Sequence, residues 1–284
     1  MALILVTGAT GNVGQAVCMA LAALGAPYRA GDVDPQRIKS QLGQSVEAVR
    51  FVFGDESTYP AAFAGIDKVF LMRPPQIADV KKYMFPAIDA AVQAGVKHFV
   101  FLSLIGIENN TIVPHYKVEQ YLKQLPVEHT FLRASFFMQN FNTTHRTEIR
   151  ERNEIFIPAG SSRTSFIDVR DIGAVAAVTL TQSGHAGQAY DLTGPEALDY
   201  PAVAAQFSAV LGRPILFRNP SILSFIFRQL ASGTRLLFVL VMAFLYTNTR
   251  AGMAAQVTHQ VEQLTGQPAH TLRQYIEAYR PNWE

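Results

Sequence analysis

The chain has 284 residues, 49% of them hydrophobic and 16% charged, which suffices for a large buried core and is far from the composition of a disordered segment. Its formal net charge of +2, without any basic run, provides no electrostatic footprint for direct nucleic-acid binding. The lone cysteine, Cys18, excludes an intramolecular disulfide; zinc-type Cys and His spacings are absent, so no metal is expected.

Ala2 to Thr7 is an apolar run without polar alternation, as expected of a strand buried on both faces of a parallel sheet. Gly8, Gly11 and Gly14 follow at intervals of three. Such glycines let the chain turn tightly, bring backbone close to a pyrophosphate and seat the next helix on the sheet. The helix predicted from about Asn12 to Leu24 then turns its free N–H groups and partial positive charge towards the phosphates. Gly8, Thr10, Gly11, Asn12, Val13 and Gly14 are therefore the candidate phosphate cradle. A second strand, about Tyr28 to Gly31, delivers Asp32, an acid placed to accept the adenosine ribose hydroxyls.

A short helix is expected over Pro35 to Leu42, and a third strand over Val46 to Phe53 ends at Gly54-Asp55. From its position alone, Asp55 is a turn acid or N-cap ahead of a short helix at Tyr59 to Phe63. The fourth strand, Lys68 to Met72, stops at Arg73-Pro74-Pro75, because proline cannot continue a central strand. Loops at these strand ends line the crevice of a doubly wound sheet, so Arg73 is a candidate for cofactor phosphates as well as for a solvated loop residue. Ile77 to Ala94 reads as a long helix kinked at Pro86, and Lys97 to Leu102 as a fifth strand ending at Ser103. Pro114 opens the next helix, whose buried face is Val118, Tyr121, Leu122 and Leu125; Glu128 to Arg133 is the sixth strand.

Further strands are expected at Ser165 to Val169 and Gln188 to Leu192, with Asp171 at the start of an apolar helix. Beyond Asp199 helices dominate: Pro201 to Leu211, one begun by Asn219-Pro220, the apolar Leu236 to Tyr246, and a last one with a Thr271/Gln274 capping box. Eleven apolar residues at 236–246 fall short of the roughly 20 that span a bilayer. That helix is expected to line a substrate cleft or a contact between two copies in a homodimer, with a membrane surface as the remaining reading. The first basic residue is Arg29, so no cationic leader precedes the glycine motif and a cytoplasmic location is expected.

Alternating strands and helices predict an α/β fold: a doubly wound parallel Rossmann sheet in the order three-two-one-four-five-six, with a smaller, mainly helical C-terminal lobe. The expected division is a nucleotide domain over 1–155, with further sheet elements from 164–194, and a substrate lobe over 196–284.

Thr-Gly-Ala-Thr-Gly-Asn-Val-Gly, with its G-x-x-G-x-x-G interval, resembles the short-chain dehydrogenase/reductase superfamily and, within it, the atypical NmrA-like branch of quinone and triphenylmethane-type NAD(P)H reductases. The resemblance implies that Asp55 contacts the adenine ring. It also exposes a departure: ordinary members carry Tyr-x-x-x-Lys on the helix after the fifth strand, whereas here His115 occupies the lysine's position and Thr111 the tyrosine's. Tyr116 and Lys117 are adjacent and cannot replace a pair four apart on one helix face. Ser103 and His115 remain as catalytic candidates, the histidine to hold the nicotinamide ribose or relay a proton near neutral pH. The segment after Leu132-Arg133 resembles the family's crossing of the cleft mouth, which implies that Phe137, Met138 and Phe141 offer apolar surface to a substrate and Asn140 a hydrogen bond.

The implied activity is NAD(P)-dependent hydride transfer to a flat, largely apolar acceptor such as a quinone, conjugated imine or dye-like compound. Such acceptors take hydride without a strong acid, so the tyrosine is dispensable. The alternative is a non-catalytic NmrA-like dinucleotide sensor that binds another protein; an epimerase is disfavoured because it needs the tyrosine. NAD is expected over NADP: Val33 stands where NmrA-like reductases commonly place a phosphate-binding arginine, and Asp32 would repel a 2′-phosphate.

Overall fold

The computed structural model describes residues 2–250 and 254–284, apart from the side chains of residues 237, 245 and 248. The chain divides into two units: residues 1–134, 169–192 and 260–267 in the first, residues 135–168, 193–259 and 268–284 in the second.

The first unit is built on a parallel seven-stranded sheet. Its spatial order is Glu47–Arg50, Tyr28–Asp32, Ile4–Thr7, Lys68–Leu71, His98–Leu104, Glu128–Ala134 and Ala189–Leu192. This is the expected order with the seventh strand added in parallel beside the sixth. Ile4–Thr7 lies inside the sheet, fully buried and paired on both edges, as its unbroken apolar sequence requires. Alternate strand residues, among them Leu5, Val69, Phe99, Phe101 and Phe131, share one core with the helices Tyr59–Phe63, Phe85–Gln93 and Pro114–Gln124. Elsewhere in the unit the helices Asn12–Ala23 and Val169–Thr181 pack against each other. Their approach depends on Gly173, where a Cβ would come within 2.6 Å of the Ala16 carbonyl oxygen.

The second unit has its own core, centred on Phe141, Ile155, Tyr200, Phe207, Phe225 and Trp283. Around it lie the helices Arg146–Arg152, Tyr200–Leu211, Ile222–Ala231, Leu236–Arg250 and Leu272–Ala278. Two small sheets accompany them: Glu154–Phe156 parallel to Leu216–Arg218, and Arg163–Thr164 antiparallel to Leu198–Asp199. A buried polar chain ties the helix Leu236–Arg250 inward: Tyr246 Oη meets His145 Nε2 at 2.7 Å, His145 Nδ1 meets Glu148 at 3.0 Å, and Gln229 donates to Glu148 at 3.2 Å. Burial raises the Tyr246 phenol well above its ordinary pKa, so it stays protonated.

Several elements differ from their sequence expectation. The long helix at 77–94 is two helices, Val80–Tyr83 and Phe85–Gln93, because Pro86 has no N–H for the Lys82 carbonyl and its ring would clash there. Ser165 to Val169 is not a strand: Ser165 donates to Ala254, Ile167 to Phe136, and Val169 already begins a helix. Ser221, not Asn219, caps the helix at 222, while Asn219 accepts the Gly160 N–H. Residues 135–155, expected in the nucleotide domain, belong to the second unit because Phe141, Ile149 and Ile155 are spent on its core. Conversely, Gln260–Thr265 packs on Val169–Thr181 and returns to the first unit. Among the described residues no helix is long and apolar enough to cross a membrane.

Candidate nucleotide and reductase site

Because the strands of the sheet are parallel, the glycine turn, Asp32, Gly54-Asp55 and Arg73 all follow the carboxyl ends of neighbouring strands. The three glycines have different reasons for being there. Gly8 has φ +66°, which favours glycine, and a Cβ would lie 2.3 Å from the Met72 methyl. At Gly14 a Cβ would stand 2.1 Å from the Gly8 carbonyl oxygen, so glycine alone lets the helix sit this close to the turn. Gly11 is different. Its backbone is extended (φ −82°, ψ 164°) and a Cβ would meet its nearest neighbours at 3.4 and 3.6 Å, which is ordinary contact. The local packing does not require a glycine there; close approach of a ligand to the backbone does. Gly11 is also the N-cap of Asn12–Ala23, no side chain caps that helix, and its first turn carries no acid. The first-turn N–H groups of Asn12, Val13 and Gly14 are thus available to an anion.

Asp32 is joined to this turn. Its Oδ2 accepts the Thr10 N–H at 2.9 Å and the Thr10 hydroxyl at 2.8 Å, and its Oδ1 accepts the Val33 N–H at 2.7 Å. Thr10 therefore fixes the carboxylate beside the candidate phosphate cradle, while lone pairs remain for ribose hydroxyls. Arg50, which the sequence reading did not single out, is the register neighbour of Asp32 on the adjacent strand. Its guanidinium is taken by Asp55 at 2.8 Å, and Ser57 donates to the same carboxylate at 2.5 Å; together these bonds hold Asp55 below the usual carboxylate pKa. Only the strand pairing, which sequence spacing does not reveal, brings Arg50 to Asp32. Arg29 is bound to Glu47 at 2.6 Å and to the carbonyls of Ala61, Ala62 and Ala64, so it does not serve the site.

Arg73 is not the solvated loop residue that its surroundings in the sequence allow. It is half-buried, and its guanidinium donates to the carbonyls of Pro74, Pro75 and Ile77 at 2.6 to 3.4 Å. Its Nε donates to His115 Nε2 at 3.4 Å. That bond places the imidazole proton on Nδ1, a buried atom that meets no hydrogen-bond partner among the described residues. Burial, reinforced by the neighbouring guanidinium, pushes the His115 pKa down to about 3. His115 is therefore neutral at physiological pH: a fixed hydrogen-bond donor, not the proton relay expected from an ordinary histidine.

Ser103 is also corrected. It is fully buried, and its hydroxyl donates to Glu119 at 2.6 Å. Glu119, itself buried, receives Arg133 through Nε at 3.1 Å and Nη2 at 2.9 Å. Ser103 thus belongs to a tie between strand and helix and does not present its hydroxyl to a reactant. Of the four acceptor candidates, Met138 and Phe141 are closed inside the second unit's core and offer no surface, whereas Phe137 and Asn140 are half-exposed. Cys18 is buried, and burial raises its thiol to about 12, which removes it as a nucleophile.

The model of the NmrA-like family matches residues 1–279. An NAD(P)H azoreductase of Xenophilus azovorans is 34% identical, the match covering 98% of both chains. A (4-alkanoyl-5-oxo-2,5-dihydrofuran-3-yl)methyl phosphate reductase of Streptomyces griseus subsp. griseus is also 34% identical, over 98% of this chain and 100% of its own length. In fold the chain is similar to the Citrobacter sp. triphenylmethane reductase complexed with NADP(H), with a TM-score of 0.85, 23% identity and coverage of 98% and 99%.

Proposed function

The chain belongs to the NmrA-like family, and from this premise we propose that it is an NAD(P)H-dependent reductase that passes a hydride to a flat, largely apolar acceptor. Gly11 is the observation that carries the reading. Packing explains its two neighbours, whereas its own lack of a side chain suits a pyrophosphate against the backbone. The backbone from Gly8 to Gly14 holds the phosphates, Asp32 accepts the adenosine ribose, and Asp55 serves the adenine end. When bound, the reduced nicotinamide supplies the hydride. The protein's part is to orient the partners, and His115, half-buried against Phe101 of the fifth strand, is the residue we assign to this.

The relatives support the acceptor class, since two of them are reductases by name and one reduces azo compounds. A neutral His115 and an engaged Ser103 also fit an acceptor that needs no strong acid at the moment of hydride transfer. We assign NAD as the preferred cofactor, because Asp32 ends the second strand, Val33 follows it, and Arg50 is already paired with Asp55. A cytoplasmic location suits a dinucleotide-dependent chain with one buried thiol. Phe137 and Asn140 remain the acceptor-side candidates.

The experiment is steady oxidation of NADH and NADPH against a panel of quinones, triarylmethane dyes and azo dyes. Turnover with at least one member is expected. Tight binding of both cofactors with no oxidation by any acceptor would replace this reading with that of a dinucleotide sensor.

A further inference from the structure

The helices Ile222–Ala231 and Leu236–Arg250 pack against each other as a hairpin. The inner side is fixed: Phe225, Val239, Met242 and Tyr246 are buried in the second unit's core, with Tyr246 held by His145. The outer side is apolar too. Leu223 (68% exposed) and Phe227 (72%) stand four apart on one helix, and Leu236 (56%), Leu240 (47%) and Phe244 (53%) repeat at the same interval on the other, flanked by Val241. A helix with apolar residues on all sides is ordinarily enclosed, and an apolar surface of this extent marks an interaction.

Charge identifies what covers it. From Tyr200 to Val261 the sequence has five arginines and no aspartate, glutamate or lysine. Arg213 is spent on backbone carbonyls, and Arg218 and Arg228 face Glu154. Arg235 and Arg250 are exposed at the two ends of the apolar helix, which is about 22 Å long at 1.5 Å per residue, Arg250 with one side of its guanidinium lying over Gly160. A two-fold contact with a second copy would set this patch against itself, arginine near arginine, with no acid in the hairpin to offset them. An anionic lipid surface satisfies both features, taking the apolar side chains among its acyl chains and the guanidinium groups at its headgroups.

We propose that the hairpin of residues 222–250 docks the protein on an anionic bilayer, lying in the interface without crossing it. Co-sedimentation of the full chain with vesicles of phosphatidylcholine containing phosphatidylglycerol, and with pure phosphatidylcholine, tests this. Binding is expected to the anionic vesicles, weakened by added salt and much poorer on the neutral ones. Phe227→Ser and Phe244→Ser should each lower partition at least about tenfold, and Arg235→Gln about fivefold. These side chains face solvent, so melting temperature and cofactor binding should stay at wild-type values and report that the variants are folded. No sedimentation with anionic vesicles, or sedimentation unaffected by all three substitutions, overturns the proposal. A concentration-dependent dimer that dissociates in Phe227→Ser overturns it in favour of a second copy.

Discussion

Gly11→Val separates a glycine kept for a ligand from one kept for the fold. At Gly11 the backbone is extended and the new Cβ finds its nearest atoms at 3.4 and 3.6 Å. An extended backbone accepts a β-branched residue, so unfolding stability should fall by no more than about 1 kcal/mol, the poorer N-cap being partly offset by a less flexible unfolded chain. The branched side chain would nevertheless stand over the turn and push a phosphate out of reach of the N–H groups that begin the helix. Losing one charge-assisted hydrogen bond costs about 1.5 to 3 kcal/mol, or about tenfold to a hundredfold or more in affinity. Gly14→Ala should behave in the opposite way. Its Cβ would meet the Gly8 carbonyl oxygen at 2.1 Å and the Ala9 Cα at 2.8 Å, both backbone atoms, so the helix must move. Overpacking of this kind costs about 1 to 3 kcal/mol or more. Urea unfolding and titration of NADH fluorescence on both variants make the comparison. A folded Gly11→Val protein with wild-type affinity, or one destabilised as much as Gly14→Ala, would refute the argument.

Other consequences follow from the same geometry. His115 has a folded pKa of about 3 against an ordinary 6.5, so the unfolded chain takes up its proton first; stability conferred by the neutral ring is present above about 6.5 and is lost as pH falls towards 3. Unfolding free energy should drop between pH 7 and pH 4, less so in His115→Gln, and an equal drop in that variant would remove His115 as a source. Turnover should show no ionisation of His115 between pH 5 and 8, while His115→Ala should lower kcat more than it raises the acceptor KM; wild-type kcat would return His115 to a structural role. Ser103→Ala should keep kcat within a few-fold, since its hydroxyl serves Glu119, whereas Glu119→Ala should cost about 1.5 to 3 kcal/mol of stability, because Ser103 loses its acceptor and Arg133 keeps Glu108 alone of its two acids. A hundredfold fall in kcat for folded Ser103→Ala would restore it to the chemistry. Wild type should bind NADH more tightly than NADPH, and Asp32→Ala should narrow the difference; NADPH preference unaltered by that substitution would show that Asp32 does not face the ribose.

What the sequence determined by itself is the part of the molecule governed by neighbours along the chain. The glycine turn, Asp32 at the second strand's end and the buried first strand rest on short-range sterics and apolar pattern; the strand order follows from the alternation of strands and helices with right-handed crossovers, and the sheet has that order. The Thr271/Gln274 capping box is equally local and is present. Tertiary structure decided the rest, because long-range partners change what a side chain is free to do. Glu119 claims Ser103 from a helix packed on the strand, and Arg73 fixes the His115 proton on Nδ1 across a gap of 42 residues. The core of the second unit absorbs Met138 and Phe141, whose apolar spacing reads the same whether they face a substrate or a protein interior. Strand register brings Arg50 to Asp32, although 18 residues separate them. The apolar helix near the C-terminus shows the difference most plainly: its sequence is hydrophobic on every side, and only packing decides which side is enclosed and which is left to meet another surface.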